Sequence, residues 1–165
     1  MDSDLLEELY RRYYGSSLLY CISLCGDVHL AEDILADAFV KAYLSLPNDV
    51  PSFHYWLLRV CKNLWIDHLR RQKHLAAQPP LEPLSTTASP ENQYLTNELR
   101  RALWRILDSL PPADRELIVL HYFSGMTLQE IAPIMGKTYA AVRQRMVRLR
   151  QTIKQRLEEQ GYGKL

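Results

Sequence analysis

The chain has 165 residues, 47% hydrophobic and 24% charged, the balance of a soluble globular protein with room for one medium domain or two small ones. No apolar run approaches the roughly 20 residues that span a bilayer, and the opening Met1-Asp2-Ser3-Asp4 is acidic where a secretion signal is basic, so a cytoplasmic protein is expected. Net charge is only +1 but is segregated: residues 1–49 carry nine acidic and three basic side chains, 50–74 one and five, 75–116 six and four, and 117–165 three and eight. Two basic blocks suggest two contacts with a polyanion, and the acidic stretches a different partner.

Long segments of helical period dominate and no strand pattern occurs, so the fold class is all-α. The first helix opens at Asp4-Leu-Leu-Glu7, a capping-box spacing, and runs to Tyr14 or beyond. Cys21, Cys25 and His29 would share a face if one helix continued through them, the geometry of a metal or redox site. Gly26-Asp27 is expected to end that helix before His29, and free cysteine usually packs as a small hydrophobe, so neither metal nor cofactor is expected. A second helix covers about Leu30 to Leu46 and stops at Pro47, with Ile34, Leu35, Ala38, Phe39, Ala42 and Leu46 as its core stripe.

After Asn48-Asp-Val-Pro51, Ser52 is placed to cap a long helix from Phe53 to about Lys73. Phe53, Leu57, Val60, Cys61, Leu64 and His68 share its core face. Tyr55, Arg59, Lys62, Asn63, Ile66, Arg70 and Lys73 fall within an arc of about 100° opposite, a mix of cations and flat groups suited to phosphates and bases. Residues 75–91 then hold four prolines and no Lys or Arg. They form a flexible Pro-rich linker, residues 75–92, able to stretch roughly 60 Å. The expected organisation is two small helical domains, 1–74 and 93–165, on that linker.

In the second domain, one helix carries Leu95, Leu99, Ala102, Leu103, Ile106 and Leu107, and another runs from about Ala113 to Phe123. Thr127 and Glu130 make a capping box for a two-turn helix, Gly136 turns the chain, and Thr138 caps a longer basic helix. A short helix, a glycine turn and a basic helix are the pattern of a helix-turn-helix. On the last helix Val142, Met146, Leu149 and Ile153 form the buried seam, which turns Gln144, Val147 and Arg148 outwards, with Arg143 at the flank. No nucleophile elbow, P-loop or metal-spaced cluster is present, so an enzyme is not expected and no small-molecule substrate is implied.

Four blocks in order resemble the extracytoplasmic-function, or group IV, sigma factors of RNA polymerase. They are Ala31-Glu-Asp-Ile-Leu-Ala-Asp-Ala-Phe39, Trp56 to Arg71, Leu110-Pro-Pro-Ala-Asp-Arg-Glu116 to Phe123, and the helix-turn-helix. The resemblance implies region 2 over residues 1–74 and region 4 over 93–165, and an alternative sigma factor that directs transcription initiation by recognising −35 and −10 elements and melting DNA. It implies Asp33, Asp37 and Phe39 as contacts to the clamp of the largest subunit of core RNA polymerase. The loop Asn48, Val50, Ser52, Phe53 and His54 would capture a base at the −10 element, with Arg59, Lys62, Asn63, Arg70 and Arg71 on single-stranded and backbone DNA. Arg143, Gln144, Val147 and Arg148 would read the −35 element, with Lys137, Thr138 and Arg145 near phosphates. Promoter DNA and an anti-sigma factor are the other implied partners.

Two departures are visible: Ala36-Asp37 stands where the clamp motif commonly has Gln-Glu, and Pro133 is expected to kink its helix or confine it to the first turns. The competing reading is an ordinary helix-turn-helix regulator whose N-terminal half is a sensor or partner module.

Overall fold

The computed structural model describes residues 1–49, 52–74 and 97–162, so Val50 and the expected linker 75–92 lie outside the described residues. Seven helices are present among the described residues, and no strand. The first three, α1 (Ser3–Cys25), α2 (Val28–Ser45) and α3 (Phe53–His74), pack on one another. The other four are α4 (Asn97–Ser109), α5 (Pro112–Ile118), α6 (Leu128–Met135) and α7 (Tyr139–Glu159). A π-helical turn, Val119–Phe123, continues α5.

Helix ends follow local chemistry. Asp2, not Asp4, caps α1, its carboxylate accepting from the Asp4 amide at 3.3 Å. The helix then runs through Gly15 to Cys25, far past Tyr14, and stops where Gly26 takes φ 72°, a conformation without penalty only for glycine. Asp27 at once caps α2 through the amides of His29 and Leu30. The continuous helix needed to align Cys21, Cys25 and His29 therefore does not form. The two cysteines are buried in α1, while the His29 side chain stands 94% exposed on α2. Among the described residues no group of three or more His, Cys, Asp or Glu side chains could hold a metal ion, and no helix is long and apolar enough to cross a membrane.

The core stripe of α2 buries Ile34, Leu35, Ala38, Phe39 and Ala42 as expected, with Leu46 half-buried. On α3 the residues Phe53, Leu57 and Cys61 are buried, and so is Leu58, which the helical period places on the flank. Thr127 and Glu130 form the full capping box of α6. Pro133 lies inside α6 with its ring exposed, and the helix continues past it to Met135, where Gly136 in the left-handed region ends it. Thr138 caps α7 through the Ala141 amide at 3.2 Å. Val142, Met146, Leu149 and Leu157 are the buried seam of α7, with Ile153 only half-buried.

The two halves do not stand apart. One continuous apolar core includes Tyr20, Leu35 and Leu58 from the first and Leu117, Leu120 and Ile131 from the second. α1 lies against α5 and the π turn, and α3 against α6. Within this contact the Tyr20 hydroxyl donates to Glu116 Oε1 at 2.7 Å, and Lys62 Nζ lies 2.8 Å from both oxygens of Glu116. Burial, reinforced by the Glu116 carboxylate, pushes the Tyr20 phenol well above its ordinary range.

Candidate nucleic-acid interface

The outer arc of α3 is presented largely as its period demands. Arg59, Asn63, Arg70, Arg71 and Lys73 are exposed, and Tyr55 and Ile66 are half-buried beside them. The Arg59 guanidinium lies 5.7 Å from the centre of the Tyr55 ring, which pre-arranges a cation and an aromatic face together. Arg70 is 4.0 Å from Asp67 in an exposed pair that water screens. Lys62 is the exception: it lies at the edge of the arc and is committed to Glu116.

The segment before α3 is less available than the sequence suggests. Phe53 is 5% exposed and packs against Phe39, Trp56 and Tyr13 at 5.9–6.2 Å between ring centres, so it is a core residue and not a surface for a base. His54 stacks on Tyr13 at 4.5 Å and places Nε2 3.3 Å from the Ser16 hydroxyl. Its burial lowers its pKa to about 4, against a smaller opposing effect of Glu130 on α6. Asn48 accepts from the Asp2 amide at 2.6 Å and so ties the loop to the start of α1. Ser52 is exposed with φ 62°, and its carbonyl accepts from the Trp56 amide.

Phe39 is corrected in the same way. At 6% exposure, with its ring 5.0 Å from Tyr10, it belongs to the core stripe of α2 and cannot face a partner. Asp33 and Asp37 are exposed one turn apart, with Ala36 beside them. Val40 at 55% and Leu44 at 75% exposure continue the same line. These two apolar residues belong to that surface and were legible as hydrophobes left over when the core stripe had been assigned.

In the helix-turn-helix, Tyr139, Ala140, Arg143, Gln144, Val147 and Arg148 line an open hollow on the outer face of α7. Lys137 is exposed at the turn, while the Thr138 hydroxyl oxygen is engaged in the cap. Arg145 departs from expectation: its guanidinium is ion-paired with Asp114 on α5, so it braces the domain instead of standing free beside a phosphate. Arg150, which the sequence did not single out, donates to the Tyr122 hydroxyl at 2.8 Å. No spacing rule links residues 28 apart, so that pair was not legible.

Models of known families match both halves: Sigma-70 region 2 over residues 9–75 and Sigma-70, region 4 over residues 100–153. The Escherichia coli K12 ECF RNA polymerase sigma-E factor is 30% identical over 146 residues, covering 81% of this chain and 75% of that protein. The chain belongs to the ECF sigma factors. A region 2 match in the first half sets aside the sensor-module reading. A probable RNA polymerase sigma factor RfaY of Xanthomonas campestris is 33% identical over 147 residues, but this sigma factor spans only 36% of that protein's length. Among solved structures, the sigma factor RpoE of Bartonella quintana, in complex with the anti-sigma factor NepR, matches with TM-score 0.70, 21% identity and coverage of 92% and 96% of the two chains. At that identity the likeness is one of fold, and it extends across both halves of the sigma factor.

Proposed function

We propose that this chain binds core RNA polymerase in the cytoplasm and directs it to a specific set of promoters. The observation that carries this is the outer face of α7, where Arg143, Gln144, Val147 and Arg148 stand clear of the core on a rigid, doubly capped helix-turn-helix. Arginine pairs with guanine and glutamine with adenine in a major groove, each such pair worth about 1–3 kcal/mol of discrimination. That face would read the −35 element. Arg59, Asn63, Arg70 and Arg71 would hold single-stranded −10 DNA, with the Tyr55–Arg59 pair as a stacking platform. Asp33 and Asp37, extended by Val40 and Leu44, would dock on the polymerase clamp. No residue is assigned a catalytic role. The Bartonella RpoE was solved with an anti-sigma factor, and a partner of that kind is proposed here too.

The test is reconstitution. Purified chain added to core polymerase with genomic fragments should give transcripts from a defined promoter set absent with core alone. Failure to bind core or to select any start site would overturn the proposal.

A further inference from the structure

Lys62 joins the DNA-facing arc to the contact between the halves. Its neighbour on the flank, Leu58, is fully buried in the shared core. Its ammonium meets a carboxylate whose side chain is only 6% exposed, and Lys62 itself is 20% exposed. Both Glu116 oxygens are used, one of them twice, and Tyr20 supplies the third bond. Such a pair is an odd way to close an apolar contact, because matched hydrophobes would close it at least as firmly. What a charged pair adds is sensitivity to competition. A polyanion offers Lys62 another partner, whereas a phosphate offers nothing to a buried leucine.

We propose that Glu116 is an autoinhibitory latch: in the free chain it holds the halves closed by giving Lys62 a carboxylate where promoter DNA would place a phosphate. This rests on the reading of α3 as the −10 face. The latch is selective. Asp33 and Asp37 on α2 and Gln144 and Arg148 on α7 remain exposed in the closed form, so polymerase and −35 DNA still have access. Lys62 is what closure withholds, and a strand following the α3 arc reaches it only once α5 has moved away. The free protein is thereby kept from holding single strands until polymerase has received it.

The experiment uses the full chain without polymerase. Glu116→Gln keeps the shape of the side chain and an oxygen for Tyr20 but removes the charge. Small-angle scattering should show an expanded molecule with unchanged helical circular dichroism. Affinity for a labelled single-stranded oligonucleotide of random sequence should rise about tenfold, the gain expected if about a tenth of wild-type molecules are open. Lys62→Met should expand the chain equally and gain no affinity, because it removes the DNA contact along with the latch. A Glu116→Gln chain as compact as wild type, or one that expands without binding DNA more tightly, overturns the latch. Wild-type transcription with core polymerase separates the two failures: if it persists, only the latch falls; if it is absent, the reading of α3 falls with it.

Discussion

His54 is held between Tyr13, Ser16 and the field of Glu130, and burial keeps its pKa near 4 instead of 6.5. Between those values the unfolded chain takes up a proton that the folded chain refuses. Stability is therefore complete above about pH 6.5 and falls as the pH drops towards 4. Urea midpoints at pH 7.5 and pH 5 should differ in the wild type, and the difference should shrink in His54→Gln. Recognition belongs to this scale too. Arg148→Ala should relax preference at one or two −35 positions in competition against a randomised library, because the side chain is exposed on the outer face of α7. Arg145→Ala should instead leave preference intact and cost about 1 kcal/mol of stability, since it removes a half-exposed pair with Asp114. Arg145 was the harder of the two to place from sequence. Its angle on α7 is legible, but Asp114 is 31 residues away.

Whole helices were more legible than their members. Every expected helix within the described residues exists, because apolar spacing, prolines and glycine turns act locally. Phe39 marks the limit: its position in a motif suggested a partner, its position in the core stripe of α2 suggested burial, and the stripe prevailed. Leu58 marks the opposite limit, a flank residue buried by a surface that helical period cannot foresee. On α2, Asp33→Lys with Asp37→Lys should abolish co-purification with core polymerase while helical content persists, since neither side chain is part of the packing. On α6, Pro133 lacks the amide that an interior helical position would use, yet its ring is exposed and the helix continues. Pro133→Ala should raise stability by about 1 kcal/mol, the restored bond and better propensity outweighing the extra freedom of the unfolded chain. Thermal or urea melts would read this directly.

For the whole molecule, charge blocks and the proline-rich stretch announced two halves but not that they close on each other. Lys62 and Glu116 are 54 residues apart with no pattern between them. The visible hint was Leu58, an apolar side chain that the first half did not need for its own stripe. The π turn at Val119–Phe123 gives this closure an arithmetic consequence. A π turn holds one residue more than the α-helical turn it replaces, and each residue of an α-helix is worth about 100° of rotation. The count of residues between Glu116 and Thr127 therefore sets the direction in which Glu116 points when α6 and α7 are held still. Removing a single residue from that turn would leave Glu116 and Lys62 in the protein and swing Glu116 about a quarter-turn away from Lys62. Inheritance of closure in related chains should accordingly follow the length of this segment as strictly as the identity of its glutamate.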